Sequence, residues 1–212
     1  MQSVLVRGGG LVAKPLVDYL LDHGYHVTVA SRTVSKAESL VGSVAEGEAV
    51  QFDIEKDRAR LNDLVSKADL AVSLLPYIYH VEVAEACLAE RKPLVTTSYV
   101  SDEMQALDSA AREAGVILLN EIGLDPGIDH MSAMRIIDRV HGDDGQIKAF
   151  RSFCGGLPAP DDNDNPLGYK FSWSPRGVVL AGRNAARCLE HGQVVDVAKE
   201  RPFANHFGPW VD

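Results

Sequence analysis

The stretch that decides the fold is VLVRGGGLVAKPLV, residues 4–17. A short apolar run is followed by glycines and then by a segment with helical spacing of its apolar residues. Gly8, Gly10 and Ala13 have the spacing G-x-G-x-x-A. In such a motif the first glycine permits a tight turn, the second lets the backbone approach a pyrophosphate, and a small third residue lets the helix pack on the sheet. The stretch predicts a strand, loop and helix that bind a dinucleotide; a tight connection without a ligand is the structural alternative.

Short apolar runs recur after this stretch and alternate with longer amphipathic segments. This alternation is typical of parallel strands joined by helices, and continuous apolar runs indicate that helices cover both faces of the sheet. The predicted strands are residues 4–6, 26–30, 49–52, 70–74, 94–96 and 116–119. The predicted fold class is therefore α/β, a Rossmann-like doubly wound parallel sheet followed by the start of a second α/β domain.

The pattern changes after residue 119, where turn-forming residues become frequent. We place the domain boundary near residue 128, with a dinucleotide-binding domain over 1–128 and a second, partial α/β domain over 129–212. In the second domain, IKAFRSFCGG (147–156) predicts a strand, VVLAGRNAARCLEHG (178–192) predicts a helix, and GQVVDVA (192–198) predicts a further strand.

Composition excludes several classes of protein. The 212 residues carry a formal net charge of −9, whereas nucleic-acid binding requires clustered Lys and Arg. No apolar run reaches the roughly 18 residues of a membrane span, and the N-terminus lacks a signal-peptide pattern, so the expected location is cytoplasmic. The three cysteines are far apart in the sequence, which indicates neither a disulfide framework nor a metal site.

The end of the second predicted strand bears on the choice of cofactor. NAD-binding folds place an acidic residue about 20 residues beyond the glycines, whereas an Arg there accommodates the 2′-phosphate of NADP. This chain has Ser31, Arg32 and Thr33 at that place. NADP(H) is therefore expected, although Arg32 can also be read as a solvated turn residue. Asp53, after the third strand, is read either as an acceptor for the adenine amino group or as a surface-turn residue.

Seven strings together carry a family resemblance: GLVAKPLVDYL (10–20), VTVASRT (27–33), SLLPYIYH (73–80), LVTTSYVS (94–101), NEIGLDPGIDHMSAM (120–134), FCGGLPAP (153–160) and NPLGYKFSWSPRGVVLA (165–181). With them the chain resembles the saccharopine dehydrogenase family, in its NADP-dependent, L-glutamate-forming branch. The resemblance implies that NADPH reduces the imine of 2-aminoadipate 6-semialdehyde and L-glutamate to saccharopine, a step of lysine biosynthesis that runs in reverse in lysine degradation.

The resemblance also implies roles for individual residues. The pyrophosphate contacts implied are Gly10, Leu11, Val12 and Ala13, next to Gly8, which the motif itself assigns to the tight turn of the cofactor loop. The 2′-phosphate contacts implied are Ser31, Arg32 and Thr33, and the adenine contacts are Asp53 and Ile54. Further cofactor contacts implied are Leu75, Thr97, Ser98, Leu124, Asp125, Pro126 and, from the second domain, Ser174. The substrate contacts implied are Ser98, Tyr99, Asp125, Cys154 and Gly155.

Two of these residues have side chains suited to the chemistry. Asp125 can bind the substrate ammonium or relay a proton, and Tyr99 can anchor a carboxylate. Their structural alternatives are a turn-capping Asp and a packed loop Tyr. His80 and His130 are interpreted as histidines at a helix start or on the surface.

Family members are longer than this chain. Their second domain continues into a substrate-binding and dimerisation region, so the resemblance implies a C-terminally truncated member and a homodimer only for full-length relatives. A short chain is expected to bind NADPH weakly and to turn over poorly. The alternatives are a nucleotide-binding module without the reaction, and a related imine reductase such as carboxynorspermidine dehydrogenase.

Overall fold

Six parallel strands form one sheet in the order β3-β2-β1-β4-β5-β6. The computed structural model describes residues 1–181 and 185–199. The strands are β1 (Ser3–Arg7), β2 (His26–Ser31), β3 (Gly47–Gln51), β4 (Leu70–Ser73), β5 (Leu94–Thr96) and β6 (Leu118–Leu119). This order is that of the Rossmann fold, with the chain reversing direction across the sheet between β1 and β4. The predicted fold class is confirmed.

Helices connect the strands and continue beyond the last one. They are α1 (Ala13–Asp22), α2 (Val34–Val41), α3 (Ala59–Ser66), α4 (His80–Ala89), α5 (Asp102–Gln105), α6 (Asp108–Ala114) and α7 (Ile128–Gly142). A short 3-10 turn, Tyr77–Tyr79, leads directly into α4. Among the helices in the described part of the chain, none combines the length and apolar character needed to cross a bilayer.

The core lies on both faces of the sheet, as β1 illustrates. Val4 and Val6 pack with Val17 of α1, whereas Leu5 packs on the opposite face with Leu61 of α3. Successive side chains of a strand point to opposite faces, so an uninterrupted apolar strand is stable only when both faces are covered. Each fully buried aliphatic side chain stabilises the fold by about 1.5–3 kcal/mol.

Arg7 ends β1 as a buried cation. Arg7 is only 1% exposed, and the central carbon of its guanidinium lies 3.8 Å from the centroid of the Phe52 ring. Burial lowers the pKa of Arg7 to about 10, and the negative charge of Glu82 partly opposes this shift. The side chain therefore remains charged at neutral pH, and its stacking on the aromatic face stabilises it there.

A second compact unit begins at Gly156, after a first unit of Met1–Gly155. It contains a 3-10 turn (Pro160–Asp162), α8 (Pro175–Ala181) and an antiparallel hairpin of β7 (Ala186–Glu190) and β8 (Gln193–Val197). The domain boundary predicted near residue 128 separates a cofactor-binding part from a substrate-binding part, whereas the compact units meet at residues 155 and 156. The boundary near residue 128 stays a prediction.

Of the three predictions for this C-terminal part, one is wrong, one is right only at its start, and one is confirmed. Residues 147–156 are not a strand, because no strand among the described residues pairs with them. The helix predicted over 178–192 is present only over 178–181, within α8. Residues 182–184 lie outside the described part of the chain. Residues 186–190 form β7, because cross-strand hydrogen bonding to β8 overrides the helical apolar spacing. The strand predicted over 192–198 is present as β8.

Candidate functional site

The glycine loop after β1 has the geometry of a phosphate cradle. Gly8 has φ +110°, and a Cβ there would lie 3.0 Å from the carbonyl oxygen of Leu74, so the loop passes close to the end of β4. A Cβ on Gly10 would meet nothing within 4 Å, which leaves open space over the loop. The buried Ala13 begins α1, whose N-terminus faces this space with the positive end of its dipole. Leu11 and Val12 are exposed beside it.

The residues predicted to bind the 2′-phosphate lie next to this loop. Ser31 ends β2, is 8% exposed, and its Oγ is 3.2 Å from the position of a Cβ on Gly9. The same Oγ accepts a weak hydrogen bond of 3.4 Å from the backbone N–H of Thr33. Arg32 and Thr33 are exposed. A buried hydroxyl, an exposed guanidinium and a second hydroxyl are donors that suit a phosphate, so the local residues fit NADP(H).

The two adenine candidates have structural roles of their own. The carboxylate of Asp53 accepts a hydrogen bond of 3.2 Å from the N–H of Glu55 and lies 3.8 Å from Nζ of Lys56. Asp53 thus stabilises its own turn, which is the alternative considered from the sequence. Ile54 is 6% exposed and belongs to the core. Their contacts with adenine stay predictions.

The sequence patterns did not indicate a hydrogen-bonded pair, Tyr79 and Glu55, next to Asp53. The hydroxyl of Tyr79 donates a hydrogen bond to the carboxylate of Glu55. This bond is the largest cause of the raised pKa of Tyr79, and the positive charge of Arg32 acts in the opposite direction. The Tyr79 hydroxyl is therefore within electrostatic range of the guanidinium predicted to bind phosphate. No motif links these residues, which are far apart in the sequence.

The loops after β4, β5 and β6 meet at the carboxyl edge of the sheet. The carbonyl oxygen of Ser98 accepts a hydrogen bond of 3.1 Å from the N–H of Glu121. Gly123 packs closely on Thr97: a Cβ added to Gly123 would be 3.2 Å from the Cβ of Thr97. Leu75, half-buried, lies beside Gly8 on the other side. The structure thus brings Leu75, Thr97 and Ser98 to one edge, where ligands bind in open α/β sheets.

The segment from Gly123 to Gly127 forms a closed turn that carries Asp125 at its tip. The N–H of Gly123 donates 2.8 Å to the carbonyl oxygen of Pro126, and the N–H of Ile128 donates 2.9 Å to the carbonyl oxygen of Gly123. Gly127 has φ +147°, and a Cβ there would be 2.2 Å from the oxygen of Gly123. The turn therefore requires glycine at 127. Leu124 and Asp125 are exposed, and Pro126 is buried.

Three residues predicted to contact substrate come together above this turn. The hydroxyl of Tyr99 donates a hydrogen bond of 2.9 Å to Oδ1 of Asp125. Burial, followed by the hydrogen bond to Asp125 and the charge of Asp125, raises the pKa of Tyr99 to about 12. The pKa of the Cys154 thiol is also raised, first by desolvation and then by the charge of Asp125. The Tyr99 hydroxyl is thus a protonated donor to the Asp125 carboxylate, and the Cys154 thiol lies within electrostatic range of the same carboxylate.

Three other residues considered from the sequence, Gly155, Ser174 and His130, are described by their own surroundings. Gly155 is exposed at the end of the first unit. Ser174 belongs to the second unit, where its Oγ accepts a hydrogen bond of 3.1 Å from the N–H of Gly177 at the start of α8. Its contact with the cofactor stays a prediction. His130 is exposed and lies 2.7 Å from Asp129, as expected of a surface histidine.

His80 is the functional candidate that sequence reasoning undervalued. It does begin α4, as expected, but it is 4% exposed rather than on the surface. Its ring nitrogens contact Oγ of Ser73 at 2.9 Å and Oγ of Ser98 at 2.8 Å. The available signal was its position directly after a loop at the carboxyl end of a strand.

Comparisons with known proteins agree with this geometry. Residues 4–119, more than half of the chain, match the family model described as "Saccharopine dehydrogenase NADP binding domain". Residues 123–210 match "Saccharopine dehydrogenase C-terminal domain". The expectation of NADP(H) as cofactor is therefore confirmed.

Relatives in fungi and mammals give the same result. The L-glutamate-forming, NADP(+) saccharopine dehydrogenase of Pyricularia oryzae is 51% identical over 93% of this chain and 44% of the relative. The enzyme of the same name in Saccharomyces cerevisiae is 44% identical over 94% of this chain and 44% of the relative. Mitochondrial alpha-aminoadipic semialdehyde synthase of Bos taurus is 40% identical over 98% of this chain and 22% of the relative.

A solved structure extends the comparison to the fold. The apo saccharopine dehydrogenase (L-Glu forming) of Saccharomyces cerevisiae has a TM-score of 0.83 and 43% identity, over 94% of this chain and 45% of that one. The chain thus spans less than half the length of the fungal relatives that it matches. With its NADP-binding sheet, its glycine loop and the two matched family models, the chain belongs to the saccharopine dehydrogenase family.

Proposed function

We propose that this chain is the NADP(H)-binding part of an oxidoreductase that interconverts saccharopine with L-glutamate and 2-aminoadipate 6-semialdehyde. The observation that carries the proposal is the cluster of Tyr99, Asp125 and Cys154 at the carboxyl edge of the sheet, beside the residues expected to hold the cofactor. The fungal relatives that are named as L-glutamate-forming saccharopine dehydrogenases support the reaction class.

The residues proposed to hold the cofactor divide by region. The loop at Gly8 and Gly10 would receive the pyrophosphate, and Ser31, Arg32 and Thr33 the 2′-phosphate. Leu75, Thr97, Leu124 and Pro126 would line the nicotinamide. When bound, the nicotinamide supplies the hydride chemistry; the chain's own part is to orient the reacting carbon and manage protons.

The charge of the cluster suits an amino-acid substrate. Asp125 offers a carboxylate that binds the ammonium or secondary amine of saccharopine through charge-assisted hydrogen bonds. The raised pKa of Tyr99 keeps its hydroxyl protonated, so it acts as a hydrogen-bond donor to Asp125 or to a substrate carboxylate and not as a base. Oxidation of saccharopine consumes water and releases one proton, and Asp125 would accept a proton from the reacting amine.

The proposal includes finer points that rest on the sequence and the family. We propose that residue 128 separates the cofactor-binding part from the substrate-binding part. We also propose a part in lysine biosynthesis, or in lysine degradation in the reverse direction, together with a cytoplasmic location and a homodimer in full-length relatives.

Steady-state assays test the reaction. Saccharopine and NADP+ are supplied, and NADPH formation is followed by absorbance; in the reverse direction, L-glutamate is compared with other amine donors. Saccharopine-dependent NADPH formation that falls in Asp125→Asn supports the proposal. Reaction with another amine in preference to L-glutamate would indicate a related imine reductase. NADPH binding with no turnover would indicate a nucleotide-binding module.

A further inference from the structure

One buried imidazole joins the carboxyl ends of two neighbouring strands. Nδ1 of His80 lies 2.9 Å from Oγ of Ser73, the last residue of β4. Nε2 lies 2.8 Å from Oγ of Ser98, two residues beyond β5. The ring therefore connects a serine that is 0% exposed with a half-buried serine at the ligand edge of the sheet.

The imidazole between these hydroxyls is uncharged. Burial lowers the pKa of His80 to about 4, so the ring is neutral at neutral pH. A neutral imidazole has one N–H donor and one bare nitrogen that accepts. The two serines therefore have opposite roles: one donates its hydroxyl hydrogen to the ring, and the other accepts a hydrogen from it.

Burial decides which serine donates. Within the described part of the chain, the hydroxyl of Ser73 has a single hydrogen-bond partner, Nδ1 of His80. A buried hydroxyl whose hydrogen has no acceptor is energetically unfavourable. Ser73 therefore donates to Nδ1, and the ring hydrogen lies on Nε2. Nε2–H then donates to Oγ of Ser98.

This direction determines what Ser98 offers to a ligand. Because Oγ of Ser98 already accepts from His80, its own hydrogen is free to be donated. We propose that His80 is a positioning residue, which, oriented by Ser73, holds Ser98 so that its hydroxyl donates to an acceptor oxygen of the bound ligand. The opposite orientation would direct the Ser98 hydrogen to His80 and leave only lone pairs for the ligand.

The acceptor oxygen has two possible sources at this edge. One is the amide carbonyl of the nicotinamide, and the other is a carboxylate of the amino-acid substrate. This inference rests on the proposed function in one respect, namely that Ser98 lies in the ligand site. The assignment of hydrogens on His80 does not depend on turnover, so the two can fail separately.

The position of the ring hydrogen is measured directly in the full chain without ligand. Long-range 15N–1H correlation spectra of the imidazole distinguish the two neutral tautomers. We expect hydrogen on Nε2 of His80. In Ser73→Ala, where Nδ1 loses its partner, we expect a mixture of tautomers. Hydrogen on Nδ1 in the unaltered chain would overturn the proposal whatever the activity of the protein.

Binding measurements then test whether His80 acts through Ser98. NADPH alone, and saccharopine with NADPH present so that no turnover occurs, are titrated into Ser98→Ala, His80→Phe and the double variant. Whichever ligand supplies the acceptor oxygen should bind about tenfold more weakly to each single variant. The double variant should be no worse than Ser98→Ala, because a residue that acts through another is not additive with it.

Two further variants separate positioning from general support of the fold. His80→Gln retains an amide N–H that can reach Ser98, and it should recover most of the lost affinity. Ser73 is buried and does not contact the ligand, yet Ser73→Ala should weaken binding about threefold, because His80 then no longer keeps its ring hydrogen on Nε2 alone. His23→Gln, on an exposed histidine of the first unit, is the control and should change nothing. Additive losses in the double variant, or unchanged affinity for both ligands in Ser98→Ala, would overturn the proposal.

Discussion

The hydroxyl of Tyr99 donates to Oδ1 of Asp125 across 2.9 Å, which joins the loop after β5 to the turn before α7. These residues are 26 positions apart in the chain. The bond places a neutral donor against the carboxylate that we assign to the substrate amine. Its removal should therefore affect the substrate more than the cofactor.

Tyr99→Phe should weaken saccharopine binding about fivefold to tenfold, as expected for a hydrogen bond to a charged group that is partly exposed to water. NADPH affinity should stay within about twofold, because the hydroxyl points to Asp125. Calorimetric titration with each ligand measures both effects. Tyr19→Phe, on the exposed side of α1, is the control, and an equal loss of NADPH affinity in Tyr99→Phe would contradict the assignment.

Arg32→Ala should weaken NADPH binding at least about tenfold and NADH binding less than about threefold. The reason is that the exposed guanidinium lies beside Ser31, where only NADP(H) carries an additional phosphate. Fluorescence titration of both cofactors gives the ratio. The matched control is Arg112→Ala, which removes an exposed helix arginine paired with Asp108. Equal losses for the two cofactors would remove Arg32 from the 2′-phosphate site.

Gly127→Ala should destabilise the turn that carries Asp125. The added Cβ would lie 2.2 Å from the carbonyl oxygen of Gly123, at a backbone φ of +147°. We expect the free energy of unfolding to fall by more than about 2 kcal/mol, with loss of saccharopine binding. Gly142→Ala at the end of α7 meets nothing within 4 Å and should be neutral or stabilising by up to about 1 kcal/mol. Chemical denaturation of both variants measures the difference, and similar stabilities would contradict the geometry.

The stability of the fold should depend on pH through His80. Its pKa is lowered by burial from 6.5 to about 4, so the unfolded chain binds this proton more readily than the folded chain. Stability is therefore unaffected above about pH 6.5, falls as the pH decreases toward 4, and loses at most about 3 kcal/mol from this group. His80→Gln should remove that part of the pH dependence. Denaturation of both proteins from pH 7 to 4 tests this, and parallel curves would show that His80 does not titrate in this way.

Much of the first unit follows from the sequence, because its signals are local. Apolar runs on β1 and β2 indicate a sheet covered on both faces, and Gly8 with Gly10 indicates the loop. The polar network at the site does not follow in the same way. His80 contacts serines 7 and 18 positions away, and only the folded sheet brings those strand ends together.

The C-terminal part shows where local patterns are insufficient. The segment 186–190 has helical apolar spacing but forms β7, because hydrogen bonding to β8 is more favourable than an isolated helix. Residues 147–156 have the composition of a strand, yet no strand among the described residues pairs with them. Pairing partners decide strands, and the sequence pattern of one segment does not reveal its partner.

The central claim is that the loop at Gly8 and Gly10, with Ser31 to Thr33, forms a site that selects NADP(H). Equilibrium titration of the unaltered chain with NADPH and with NADH, followed by the fluorescence of the reduced nicotinamide, tests it most directly. We predict saturable binding of both, with NADPH at least about tenfold tighter. Equal affinity for the two cofactors, or no saturable binding of NADPH, would contradict the account.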